Sequence, residues 1–280
     1  MFLGLSLQTW LGLTVLGALV STLGSLFGIV LKDFFFVRSF ESWKQKKTLE
    51  QLYQRYRDPL YLSAHELATR LFEIDLTYPT VYLKTSVLDK RVDRQIRNSV
   101  HDPYFQRHKL LSSIYRLAAF LGWLELYRQE VTYLRSGSNP HSKALEWVVN
   151  AIRSDLADGQ INKTDDLGMW RDTLIFRDEL RAIGESMIET RGATRTVTGY
   201  GRFLEAAEAE GDSAIKRWHP VVSNFLLDLE VGGKDFRHVR IKRLFVHLVD
   251  LMTLLDESSV EKWLTEKRNL LETEVLKPHC

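Results

Sequence analysis

Hydrophobic and polar positions divide the chain after Leu31. Met1 to Leu31 contains no Lys, Arg, Asp or Glu and is dominated by Leu, Val, Gly, Phe and Ser. From Trp10 to Leu31 the apolar run is 22 residues. As a helix it covers about 33 Å, against a hydrocarbon core of about 30 Å. The pattern predicts one transmembrane helix, with the span at about 10–31 inside an anchor of residues 1–31. A secretory signal peptide would need a basic start, a shorter apolar core and a small-residue cleavage pattern, and none of these is present.

After the anchor the apolar positions recur at threes and fours, the helical period. Lys32 to Arg57 reads as a helix leaving the membrane, ended or kinked by Asp58-Pro59. Leu60, Ala64, Leu67, Leu71 and Ile74 mark the next amphipathic helix, with Glu66 and Arg70 placed as a surface ion pair. Thr80 to Asn98 is expected to be helical, with Arg91, Arg94 and Arg97 on a solvated stripe. The strongest pattern runs from Tyr104 to Arg135 through Leu110, Ile114, Leu117, Leu121, Leu124, Tyr127, Val131 and Leu134. It predicts a central helix, closed by Ser136-Gly137-Ser138-Asn139-Pro140.

Further helices are expected over Lys143 to Asp158, Asp172 to Thr190, Tyr200 to Glu210, Ser213 to Val231 and Phe236 to Glu257. A last one starts at Ser258-Ser259. Gly159 to Gly168 and Arg191 to Gly199 read as irregular loops, and Gly232-Gly233 as a break. No strand-like alternation stands out, so the expected fold is all-α. It comprises the anchor (1–31), a basic juxtamembrane helix (32–58) and a cytoplasmic multi-helix bundle (59–280).

Charge adds an orientation. The N-terminal flank of the span has no basic residue, whereas Lys32, Arg38, Lys44, Lys46 and Lys47 follow it closely. That asymmetry predicts the plasma (inner) membrane, with the N-terminus outside and the larger domain in the cytoplasm. The same five residues form a basic collar suited to anionic lipid. The formal net charge of the whole chain is only +2, which argues against nucleic acid as a bulk partner. Within the span, Gly17, Ser21, Gly24, Ser25 and Gly28 share one face, and such small residues let two membrane helices approach closely.

Three segments carry a resemblance. They are Tyr56-Arg57-Asp58-Pro59-Leu60 with Ala64, Leu67, Arg70 and Leu71; Leu121-Gly122-Trp123-Leu124-Glu125 with Arg128 and Glu130; and Phe176-Arg177-Asp178-Glu179-Leu180-Arg181-Ala182-Ile183-Gly184-Glu185. Together the segments resemble a bacterial family with a membrane-anchoring N-terminus and a helical cytoplasmic remainder. That family often places Gln where this chain has Leu180, a departure that argues against a fixed polar site there. The resemblance implies bacterial origin and carries over no activity and no catalytic residue.

Motif chemistry is sparse. One cysteine, Cys280, and eight histidines without H-x-x-x-H spacing make no metal set. Val231-Gly232-Gly233-Lys234-Asp235 lacks the first glycine and the hydroxyl of a phosphate-binding loop. No G-x-S-x-G is present. The expectation is therefore no catalytic, cofactor or metal residue. What remains is a polar network of Arg70, Glu125, Arg128, Glu179, Arg181 and Glu185, whose first reading is structural. The leading expectation is a single-pass, membrane-tethered interaction or scaffold module that binds lipid through its collar and associates with itself or a protein partner. Alternatives are a membrane effector whose anchors oligomerise and perturb the bilayer, and a membrane-bound enzyme using the Glu125 and Glu185 region.

Overall fold

The structure is a computed structural model that describes residues 7–30, 38–77, 83, 103–131, 140–157, 173–192, 194–229 and 235–275. The described residues are mostly helical, with nine α-helices and one two-stranded hairpin among them. Outside them lie Lys32, the expected helix over Thr80 to Asn98 except Leu83, with Arg91, Arg94 and Arg97, and the loops at Ser136 to Asn139, Gly159 to Gly168 and Gly232-Gly233. The chain forms two compact units, Met1–Gln51 and Leu52–Cys280.

In the first unit, α1 spans Leu7–Val30. Its 20 residues Trp10–Ile29 have a mean hydropathy of 1.8 and none of them is buried, so this helix is long and apolar enough to cross a membrane. Several of its hydroxyls bond to its own backbone. Thr14 Oγ1 donates to the Leu11 carbonyl at 2.9 Å, Thr22 Oγ1 to that of Ala18 at 2.6 Å and Ser25 Oγ to that of Ser21 at 2.9 Å. Such internal bonding removes the penalty of unpaired hydroxyls in an apolar solvent. After it, α2 begins at Arg38. In its first turns the exposed Phe40 and Trp43 rings stack at 5.9 Å, and Lys47 Nζ lies 5.2 Å from the Trp43 ring centre.

In full, α2 is Arg38–Phe72 and runs unbroken through Pro59. The expected break at Asp58-Pro59 does not occur. Proline removes one donor and leaves the carbonyl four residues back, that of Arg55, without its helical partner. Gln54 and Arg55 are solvent-exposed, where water can satisfy that oxygen. On the opposite face Tyr56, Leu60, Ala64, Leu67 and Leu71 are buried, and this burial outweighs a single lost bond of about 1 kcal/mol. A π-helical turn, Glu73–Thr77, follows.

The central helix is α3, Pro103–Val131, and Leu110, Ile114, Leu117, Leu121 and Leu124 are buried along it as the periodicity predicts. The next, α4, covers Pro140–Ala157. The segment read as one helix over Asp172 to Thr190 divides instead. Helix α5 is only Arg177–Ser186, and Met187 turns the chain into strand β1, Ile188–Arg191. Strand β2, Thr194–Val197, pairs with β1 antiparallel, from Ile188 opposite Val197 to Arg191 opposite Thr194. The stretch read as a loop is thus half of a hairpin, a small departure within a mostly helical structure. Gly192 has φ +61° at the first position of its two-residue turn, a conformation that only glycine adopts freely. Phe176 is exposed, whereas Leu180, Ile183 and Met187 are buried.

Helices α6 (Tyr200–Glu208) and α7 (Ala214–Leu226) follow. Ser213 caps α7 by accepting from the Lys216 N–H at 3.0 Å. Helix α8, Phe236–Asp256, is the most enclosed element, burying residues on most of its circumference. Helix α9, Lys262–Val275, closes the unit after a 3₁₀ turn, Glu257–Ser259. Tyr53 and Tyr61 of α2 tie into this end, the Tyr53 hydroxyl reaching the Leu255 carbonyl at 3.2 Å and the Tyr61 hydroxyl that of Ser259 at 2.5 Å.

Helices α3 and α5 approach each other closely. A Cβ placed on Gly184 would lie 2.6 Å from the Leu121 carbonyl oxygen and 3.1 Å from the Glu125 Cβ. Gly122 faces the start of the hairpin in the same way, 3.0 Å from the Met187 Cβ and 3.1 Å from Val197. We expect Gly184→Ala to lower stability by about 1–3 kcal/mol through forced backbone separation. Thermal unfolding of the full chain in detergent, followed by circular dichroism, measures this. An unchanged midpoint would show that the two helices do not pack at that distance.

Candidate functional site

The close approach at Gly184 sets Glu125 beneath α5. Its side chain is 2 % exposed, and a carboxylate at that depth persists only if its oxygens are bonded. Arg128, one turn along α3, supplies two bonds, Nε to Oε2 at 2.7 Å and Nη2 to Oε1 at 2.5 Å. Gln129 Nε2 adds a third at 2.8 Å. Gln129 is in turn held from the hairpin, where Arg195 Nη2 donates to its Oε1 at 2.5 Å. Burial pushes the Glu125 pKa up, but the Arg128 and Gln129 bonds together outweigh it and hold the carboxyl below its usual range. The same pair raises the Arg128 guanidinium pKa.

Around this carboxylate the three helices bring further charge. Arg153 of α4 is half-buried, and its pKa lies below the ordinary guanidinium value, first through burial and then through Arg181, Arg128 and Arg177, with Glu125 opposing. Arg177, the first residue of α5, donates Nη2 to Ser154 Oγ at 3.1 Å and so joins α5 to α4. Arg181 stands 3.9 Å from Asp178, a fully exposed carboxylate. Glu185 is exposed and acts electrostatically on Arg128.

The six residues read from the sequence as one network therefore divide. Glu125, Arg128, Arg181 and Glu185 share this region. Glu179 caps its own helix, accepting from the Phe176 N–H at 2.8 Å. Arg70 lies elsewhere, buried with its Nε 3.4 Å from Glu73, not at the surface as the Glu66 pairing requires. Glu73 also holds Lys109 of α3, whose pKa burial lowers. Arg70 lies against Leu67, Leu71, Leu117, Phe225 and Leu244, which pack without room for a water molecule. Trp123 sits at the edge of the core, its ring 6.5 Å from that of Tyr56. Gly17, Ser21, Gly24, Ser25 and Gly28 are exposed along α1, and nothing lies within 4 Å of a Cβ placed on Gly17, Gly24 or Gly28. Of the basic collar, the Lys44 and Lys47 side chains are exposed. Lys32 and the side chains of Arg38 and Lys46 are outside the described residues.

Other buried charges were not singled out in the sequence. Asp155 of α4 is fully buried; its Oδ1 accepts from Arg243 Nε at 2.9 Å, and its Oδ2 lies 2.6 Å from His247 Nδ1. Its backbone carbonyl accepts from Arg240 Nη1 at 2.5 Å, and the Arg240 guanidinium lies over the Phe236 ring. Asp75 pairs with His238, both buried. Arg237 is held by Asp235 and by the carbonyls of Asn224, Leu227 and Asp228 at the end of α7. A signal for the first cluster was present. Asp155 falls on the Val148–Ile152 stripe of α4, and Arg240 and His247 fall on the Leu244–Leu251 stripe of α8. A charge on a core face calls for a partner on the facing helix.

Chemically, a carboxylate fixed in its ionised form by three donors is a poor proton donor or acceptor at neutral pH. It is suited to holding Arg128 and Gln129 in place along α3. Among the described residues no three His, Cys, Asp or Glu side chains are placed to hold a metal ion. No family model matches the chain, and neither a curated protein nor a solved structure matches it.

The depressed Glu125 pKa has a pH consequence. A carboxyl held below its unfolded value, ordinarily 4.5, contributes stability that is complete above that value. The contribution is lost as pH falls through the folded value. Glu125→Gln should therefore cost about 1–3 kcal/mol at pH 7 and should flatten the loss of stability below about pH 4.5. Denaturant unfolding midpoints of the two proteins, measured from pH 7 to pH 3, provide the comparison. Parallel pH profiles would refute the assignment.

Proposed function

We propose that the chain is a single-pass, membrane-tethered helical protein whose larger unit lies in the cytoplasm and works as an interaction module. The observation that carries this reading is α1, a helix of membrane-spanning length whose apolar side chains face outward from Trp10 to Ile29. An apolar surface of that size is stable only in lipid or against protein. The internal bonds of Thr14, Thr22 and Ser25 fit lipid. Orientation rests on the basic residues that follow the span in sequence. The aromatic pair Phe40 and Trp43 with Lys44 and Lys47 suits the interface on that side. Self-association is the partner reading for α1. At 100° per residue, Gly17, Ser21, Gly24, Ser25 and Gly28 fall within an arc of about 100°, open to a second helix.

The sole cysteine is a native reporter of topology. In inside-out bacterial membrane vesicles Cys280 should react with a membrane-impermeant maleimide, and in intact spheroplasts it should be protected. The protein should also resist carbonate extraction, and removal of residues 1–31 should release it. Labelling in spheroplasts would reverse the orientation, and carbonate release of the full chain would remove the tether altogether. For self-association, Gly24→Ile with Gly28→Ile should reduce the cross-linked dimer in mild detergent at least about tenfold, a loss of about 1.4 kcal/mol. An unchanged dimer fraction assigns any assembly to another surface.

A further inference from the structure

We propose that the outer edge of strand β1 pairs with the same edge of a second copy of this chain, making one four-stranded sheet from two hairpins. The direction of the backbone groups follows from the register. Arg191 lies opposite Thr194 across the two-residue turn, and Glu189 lies opposite Thr196. In an antiparallel ladder, opposed residues alternate between pairs that exchange both backbone bonds and pairs that exchange none. The Thr198 N–H donates to the Met187 carbonyl at 2.7 Å, so Met187, Glu189 and Arg191 are the bonding positions. Ile188 and Thr190 therefore aim their N–H and C=O groups away from β2. Among the described residues no hydrogen bond reaches those outward groups.

A free edge of this kind is a template for a further strand, and folds that avoid such pairing guard it with proline, a bulge or a covering element. Strand β1 holds no proline and pairs with β2 without a bulge. Thr190 and Arg191 are exposed, so the half of the strand nearest the turn can be reached from solvent. A sheet of two strands is also at the lower limit of size, and a second hairpin would double it.

The charges along the edge select a second copy as its occupant. Antiparallel pairing about a two-fold axis at Thr190 sets Thr190 opposite Thr190 of the second copy, each N–H reaching the other's carbonyl. Glu189 then lies opposite Arg191 of the second copy, and the reverse pair forms by symmetry. Facing threonines and facing opposite charges are both favourable cross-strand pairs. Moving the axis one residue either way would set Glu189 opposite Glu189, or Arg191 opposite Arg191, and like charges so placed repel. Within one chain a single carboxylate, Glu189, serves both Arg191 and Arg202. Pairing brings a second carboxylate beside Arg191. An edge of four residues is far smaller than a standard protein interface, so its pairing depends on copies held close together. For that confinement the inference rests on the membrane-tethered reading, in which two copies in one membrane meet at a raised effective concentration.

The test uses the full chain in bacterial membranes, with Cys280→Ser and one new cysteine from either Thr190→Cys or Thr194→Cys. Mild oxidation and non-reducing electrophoresis read the disulfide-linked dimer. In the paired sheet the two copies of position 190 are one strand spacing apart, about 5 Å, and those of position 194 are three, about 14 Å. Thr190→Cys should therefore give at least about tenfold more dimer than Thr194→Cys, since a disulfide spans only the shorter distance. Adding Arg191→Glu sets a carboxylate opposite Glu189 of the second copy and should lower the Thr190→Cys dimer at least about threefold. Arg191→Ala, which only removes the attraction, should lower it less, and it serves if the glutamate variant does not fold. Both new cysteines sit on the same hairpin, so confinement by α1 raises both yields alike. Their ratio reports the edge, whereas carbonate extraction reports the tether. Equal yields at the two positions, or no dimer from Thr190→Cys, overturns the proposal. So does a Thr190→Cys adduct with another protein in place of the dimer, or a yield unchanged by both Arg191 variants.

Discussion

The second unit depends on one backbone contact, the approach of α5 to α3 at Gly184. With hydrogen in place of a side chain, the helix backbone comes close to the Leu121 carbonyl, at a point where a Cβ would lie 2.6 Å from that oxygen. Everything nearby is set by that distance. Glu125 is covered because α5 is so near, and once covered it needs Arg128 and Gln129 to remain ionised. Gln129 then fixes Arg195 and through it the hairpin. Gly122 repeats the arrangement one turn earlier, admitting Met187 and Val197 at the point where helix becomes strand. A larger residue at either glycine would move both the hairpin and the arginines that surround Glu125.

The remaining buried charges act in the same way on other helix pairs. Asp155 on α4 meets Arg240, Arg243 and His247 on α8. Asp75, in the π-helical turn after α2, meets His238 at the start of α8. Neither pair is a large source of net stability, because each charge loses its hydration on burial and the attraction returns a similar amount. Their effect is on choice of partner. A slip of α8 by one turn would leave Asp155 facing Leu244 or Leu251 instead of His247, with an uncompensated carboxylate in the core. Apolar packing alone would tolerate such a slip far better.

Helical periodicity made most of this fold legible. The stripes through Leu60–Ile74, Leu110–Leu124 and Ile241–Leu255 are the faces that are buried, because one apolar side per helix is what a helical core requires. Two kinds of feature escaped. The hairpin did so because Ile188-Glu189-Thr190-Arg191 and Thr194-Arg195-Thr196-Val197 place few apolar residues on any face. Its signals were the β-branched residues and the glycine at the turn, and these also fit a loop. Pro59 misled in the other direction, since the rule against proline in a helix is local and the buried face of α2 is not. Within the candidate site the sequence named Glu125, Arg128, Arg181 and Glu185 together with Arg70 and Glu179. It could not place Arg70 or Glu179 apart from them, because helix rotation and register decide that and neither is encoded in residue type. Arg153 was missed because a single arginine on an amphipathic helix reads as surface.

The two units solve opposite solvation problems, and this separates what each can contribute to function. In α1 the polar atoms are few and the described hydroxyl bonds are closed within the helix, so its outward face offers shape and apolar area with no charge to direct recognition. Affinity on such a face comes from close packing, and small residues are the feature that adjusts it. In the second unit the directed interactions come from charged side chains bonded to one another, as Arg128 is to Glu125 and Arg195 to Gln129. A surface whose charged groups are positioned by the fold does not spend binding energy on ordering them. On the proposed reading, α1 determines where the protein resides, and the second unit supplies the surface through which it acts.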